Sequence, residues 1–178
     1  LKRHKWIVVV FIAVLVLTAC VELWMGRSLL GPDGKFGLWD GNIWSSENSQ
    51  RLADAYSFSH IVHGILFYAV LWLVARKLPV RHRLLIALAL EAGWEMLENS
   101  PLIINRYREA TISLGYVGDS VLNSLSDILM MTIGFLFAFR APARISVAAV
   151  ILMEVGCALW VRDNLTLNII MLIHPFDA

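Results

Sequence analysis

The sequence predicts an all-α polytopic bundle of transmembrane helices, with about five spans and a short C-terminal interfacial or re-entrant helix. Three observations carry that expectation. Of the 178 residues 58% are hydrophobic, the mean hydropathy is +0.68, and only 16% are charged, where a soluble domain carries about a quarter. The apolar residues fall in runs of roughly 20, the length that crosses a hydrocarbon core as a helix. Basic residues gather in the short segments between alternate runs, as they do on the cytoplasmic side of membrane proteins.

The first run, 6–25, opens after Lys2, Arg3 and Lys5; residues 2–19 resemble a signal peptide, and Leu17-Thr18-Ala19-Cys20 resembles a lipidation site. The apolar run continues past Cys20 through Val21, Leu23, Trp24 and Met25, so it reads as a membrane span. Residues 26–57 form a long outer loop. Spans follow at 58–78, 84–103, 118–139 and 145–161. The stretch 165–174 is too short to cross and ends at Pro175. No repeat or composition shift divides the chain, so residues 1–178 read as a single domain. Cys20 and Cys157 sit in apolar runs without metal or redox spacing and read as small hydrophobes. Most tryptophans read as interfacial anchors, and nucleic-acid binding is excluded because no basic stripe interleaves with aromatics.

With the N-terminus cytoplasmic, the inner pieces are 1–5, 76–83 and 140–144. They hold nine of the fifteen basic residues, including Arg76, Lys77, Arg81, Arg83, Arg140 and Arg144, and no acidic residue. The remaining six are spread through longer outer segments. The positive-inside rule therefore places the 26–57 loop outside the cytoplasm and the protein, as multi-pass, in a cell inner membrane.

Ionisable groups inside a bilayer are unfavourable by about 2.5 kcal/mol or more each, so each one asks for a reason. His60 and His63, three apart at the start of the second span, share a helix face. Glu91, Glu95 and Glu98, with Asn99 beside them, make one stripe on the third. Asp119, Asn123 and Asp127, spaced by four, make another on the fourth. The alternating directions of these spans put all three sets at the same, outward depth. If they face one another they enclose a polar pocket, with Arg106 and Arg108 at its mouth.

Those residue types suit catalysis on a lipid or polyprenyl phosphate. In that reading Glu95, Glu98 and Asp119 bind a divalent ion or act as general acid and base, and His63 carries a proton. Arg106 and Arg108 hold the phosphate, with Asn99 and Asn123 as further substrate contacts. His60, Glu91 and Asp127 are candidate ligands for Mg²⁺ or Zn²⁺. Two other readings use the same residues. The carboxylates carry protons or a cation in a non-enzymatic binder, or they pack helices in a structural partner. Glu22 and Glu154, each alone on its span, read as helix-packing polar residues.

The stretch Glu91 to Phe135, above all its E-N-S-P, R-Y-R and G-D-S-V-L-N-S runs, resembles a bacterial family of uncharacterised multi-pass inner-membrane proteins across nearly the whole chain. More distantly the chain resembles the VanZ-like proteins, whose pattern would fall on His63, Glu95, Arg106, Asp119 and Asn123. It departs from that pattern at Glu98-Asn99 and over Ser124 to Asp127. The resemblance implies a site at these positions and leaves the activity open.

Overall fold

The computed structural model describes residues 5–112 and 115–175. Lys2 and Arg3, expected at the cytoplasmic end, lie outside the described residues, as do Ser113 and Leu114 of the family-like stretch. The fold is an all-α bundle: α1 (Lys5–Trp24), α2 (Ser57–Val74), α3 (Val80–Glu98), α4 (Pro101–Ala110), α5 (Val121–Arg140), α6 (Ala143–Val161) and α7 (Leu165–Ile173). Two short strands, β1 (Trp39–Asp40) and β2 (Ala53–Asp54), pair in parallel within the loop between α1 and α2.

Among the described residues four helices, α1, α2, α5 and α6, are long and apolar enough to cross a membrane. The expected span at 84–103 takes a different form. Helix α3 has 19 residues and a length of about 28 Å, but Arg81, Arg83, Glu91, Glu95 and Glu98 make it far less apolar than its neighbours. It also stops early. Ser100 precedes Pro101 and takes the extended conformation that proline imposes on the residue before it. Pro101 then opens α4, a position where its missing N–H does no harm. The C-terminal stretch is a nine-residue helix, α7, too short to cross, as its composition implied.

Helix α5 is the hub, with 56% of its apolar window buried, against 11% for α1 and 17% for α6, whose apolar faces point outward. Helices α2 and α5 touch through their main chains. A Cβ at Gly64 would fall onto the carbonyl oxygen of Met131, and one at Gly134 onto that of Ile61. Only glycine permits this approach. Below it, Leu71, Ala87, Leu88, Ala92, Ile128, Met131 and Phe135 form a dry core shared by α2, α3 and α5. That inner half is not wholly apolar, because Arg83 is buried there over the ring of Tyr68.

At the other end the 25–56 loop closes on the start of α5. Ser120 N–H donates to Ser49 O, Val121 N–H to Ser28 O, and the Gln50 amide to Gly118 O at 2.7 Å. These bonds satisfy N–H groups that a helix start leaves without partners. Gly118 has φ of 90°, and a side chain there would strike Asn99 and Arg27. The two cysteines are free. Cys157 is buried beside Ala55 and Val161, while Cys20 lies on the exposed face of α1 rather than inside.

Candidate functional site

Helices α2 and α5 run parallel and in contact, with α3 antiparallel beside both, so the start of α2, the end of α3 and the start of α5 meet at one end of the bundle. His60 and His63 are one turn apart on α2, and the carboxylate of Glu91 lies between them. It is 2.6 Å from His60 Nδ1, and both its oxygens are 3.1 Å from His63 Nδ1. One turn on, Glu95 has an oxygen 3.4 Å from His60 Nδ1. Glu95 is completely buried, and neither of its oxygens has a hydrogen-bond partner. On its far side His60 turns Nε2 toward Asp127 Oδ2 at 3.8 Å, and Ser57 Oγ donates to the other Asp127 oxygen at 3.0 Å.

Further out, Tyr107 donates to Glu98, and Tyr116 Oη donates to Asp119 Oδ1 at 2.9 Å. Asp119 lies just before α5, and burial raises its pKa to about 6 against the lowering effect of the Tyr116 hydroxyl. Asn99 is fully buried and ties α3 to α5. Its amide donates to Asp119 Oδ2 and Ser124 Oγ, and its carbonyl accepts Asp119 N–H at 2.7 Å. Asn123 donates to Arg51 O, which fastens α5 to the loop.

These groups border a cavity of about 430 Å³. Its lining mixes polar side chains, among them His60, His63, Glu91, Glu98, Asp119, Asn123, Asp127, Tyr107, Tyr116 and Asn168, with the apolar Leu66, Phe67, Leu90, Trp94, Leu165, Ile169 and Leu172. No lysine or arginine lines it among the described residues.

The structure therefore brings together His60, His63, Glu91, Glu98, Asp119, Asn123 and Asp127 around one space, with Glu95 directly behind. Asn99 is a brace outside it. Arg106 and Arg108, expected at the mouth as phosphate holders, do not line the cavity. Arg106 Nε donates to Leu172 O at 2.9 Å and Arg108 Nε to Tyr116 O, which pins α4 to α7 and to the following loop. For a metal, two trios among the described residues each offer ligand atoms within 4.8 Å of one another: His60, His63 and Glu91, and His60, Glu95 and Glu98. Asp127, the other expected ligand, belongs to neither trio and faces the second nitrogen of His60 at 3.8 Å.

Sequence reasoning passed over several participants. Asp54 accepts the N–H groups of Tyr56 and Ser57 and so starts α2; the D-A-Y-S run carried that capping signal. Glu22 is fully buried where α1 meets α3 and α5, closer to the site than its isolation suggested. Glu154 does have the structural role expected of it. Its carboxylate accepts N–H groups of Leu165 and Thr166 and the Thr166 hydroxyl, which caps α7.

Fold and site together define a helical protein of membrane composition with a histidine and carboxylate cavity at one end of its bundle. Comparison with known sequences places the chain more closely. The family described as Protein of unknown function (DUF2585) matches residues 22–178. The chain is similar to a UPF0314 protein of Rhizobium johnstonii, 51% identical over 178 residues, covering 99% of this chain and 91% of that one. Its likeness to a UPF0314 protein of Paracoccus denitrificans is 52% over 165 residues, covering 93% and 86%, and to one of Sphingopyxis alaskensis 46% over 178 residues, covering 100% and 94%. The chain belongs to this family. No solved structure matches it.

Proposed function

We propose that the chain is a multi-pass inner-membrane protein, N-terminus cytoplasmic, that takes the polar end of an amphiphile into its outer cavity and transforms it there by acid–base chemistry. The mixed lining of the cavity supports this reading most directly. Its apolar side chains suit a chain, and its carboxylates, imidazoles and phenols suit a head group. Arg76, Lys77, Arg81, Arg83, Arg140 and Arg144 lie at the opposite end of the bundle, and the positive-inside rule turns that end to the cytoplasm and the cavity outward.

Glu98 and Asp119 are the acid–base pair of this reading, each polarised by a tyrosine hydroxyl, with His63 as the proton carrier at the cavity lining when no ion holds it. A lipid or polyprenyl phosphate remains the substrate class proposed. Because the arginines are held elsewhere, its negative charge would meet a wall of carboxylates, and a divalent ion, magnesium or zinc, would have to offset it. In these terms the VanZ-like pattern amounts to His63, Asp119 and Asn123 at the cavity, Glu95 behind it and Arg106 outside it.

The purified protein, incubated with phosphate-bearing lipids and either ion, is expected to release product. Glu98→Gln and Asp119→Asn are expected to slow release by at least about 100-fold. Turnover that ignores both substitutions, or none across the panel, would overturn the proposal. A second reading, in which the charges only join helices, is favoured by the bonds from Asn99 to Asp119 and from Ser57 to Asp127. Under it the same substitutions would lower stability and leave any activity unchanged.

A further inference from the structure

We infer that His60, His63, Glu91 and Glu95 form a binding site for a divalent transition metal, with zinc the ion that their chemistry fits. The inference stands on the geometry of the cluster and not on the cavity being catalytic. Two histidines spaced by three on α2 face Glu91 on antiparallel α3, the three ligand atoms lying within 4.8 Å of one another, and Glu95, one turn on, reaches His60 at 3.4 Å.

A tetrahedral zinc ion with ligand bonds of about 2.0–2.1 Å holds its ligand atoms about 3.3 Å from one another. Glu91 is 3.1 Å from His63 Nδ1, and Glu95 is 3.4 Å from His60 Nδ1. The pair His60 Nδ1 and Glu91 is tighter, at 2.6 Å, the length of a direct hydrogen bond that an ion would open by less than an ångström. These three pairs meet zinc spacing with little movement.

A second observation is independent of those distances. Glu95 is wholly buried, and neither oxygen has a hydrogen-bond partner, yet its carboxylate reaches the same imidazole nitrogen as Glu91. Buried carboxylates are otherwise hydrogen-bonded, paired or bound to a cation. The surroundings suit a cation too. Behind His60, Asp127 faces the other ring nitrogen at 3.8 Å and is itself held by Ser57. This is the order of carboxylate, histidine and ion in which the outer carboxylate orients the ligand. Asp127 is thus a positioning residue. Two imidazole donors argue against magnesium or calcium, which prefer oxygen ligands throughout.

The test uses the full chain in detergent, stripped with a chelator and titrated with Co²⁺ as a spectroscopic probe, followed by competition with Zn²⁺. We expect one Co²⁺ per chain with the visible absorption of a four- or five-coordinate ion, displaced by Zn²⁺. His63→Ala and Glu91→Gln are expected to abolish binding. Asp127→Asn is expected to weaken it by about 10-fold or more, and Glu154→Gln to leave it intact. Thermal unfolding of each variant separates lost ligands from lost fold, and the wild-type titration needs no variant. No bound Co²⁺ in the wild type, or binding unaffected by His63→Ala and Glu91→Gln in folded protein, would overturn the inference. Binding of the ion without lipid turnover would overturn only the catalytic reading.

Discussion

Asp119 sits where the chain turns into α5, 7% exposed, and joins a phenol, an amide and a backbone brace. Its pKa of about 6, raised by burial from the usual 3.8, has a consequence for stability. Between those values the folded chain keeps the proton that the unfolded chain has lost. Its contribution is therefore full below about pH 4, declines as pH rises through about 6, and stays flat above. The loss is on the order of 3 kcal/mol. Unfolding of wild type and Asp119→Asn in detergent between pH 4 and 8 is expected to show the wild type losing ground to the variant over that window. Parallel curves would contradict it. At this scale the sequence was informative in one direction. The spacings of three and four at His60 and His63, at Glu91, Glu95 and Glu98, and at Asn123 and Asp127 put side chains on shared faces by helical period alone. Tyr116 and Asp54 were less visible. A tyrosine in a loop and an aspartate in a long one carry no period, and their importance comes from partners that the fold supplies.

Helices α2 and α5 owe their contact to two glycines, and the site depends on it, since the same crossing brings Ser57 and His60 to Asp127. Gly64→Ala is expected to destabilise the bundle by about 3 kcal/mol, because the methyl group meets main chain and one helix must move. A change under 1 kcal/mol in detergent unfolding would show the crossing to be looser than described. Helix α7 is held differently, by Glu154 at its start and by Arg106 near its end. Glu154→Ala is expected to raise amide exchange across Leu165–Ile173 while leaving α2 and α5 protected. Unchanged exchange would contradict that. The helices themselves were readable from runs of apolar residues, with ends wrong by a few positions. The exceptions are α3 and α4. Hydropathy extends a span over 84–103 and leaves a loop up to 118, but five charges make α3 less apolar than its neighbours, and Ser100-Pro101 ends it and opens α4. The docking of the 25–56 loop on α5 was not readable, because bonds such as Gln50 to Gly118 join residues 68 positions apart.

The whole molecule separates its charge. One end gathers arginines and lysines on short turns, the middle is dry, and the other end buries two histidines and a set of carboxylates around a cavity. A bundle that needed these groups only for packing would satisfy each of them locally, and most are satisfied in that way. Glu95 is met only in part, by His60 at 3.4 Å. Like Glu22 it is fully buried with no hydrogen-bond partner among the described residues, a standing cost of on the order of 1–3 kcal/mol, and it lies beside the cavity lining. The most direct measurement is the thermal midpoint of Glu95→Met against wild type, both stripped of metal. If the carboxylate is there for a ligand, removing it is expected to raise the midpoint, by about 2–4 °C for each kcal/mol relieved in a chain of this length. A lower midpoint would mean that Glu95 holds the helices together, and the account of a working cavity would fall with it.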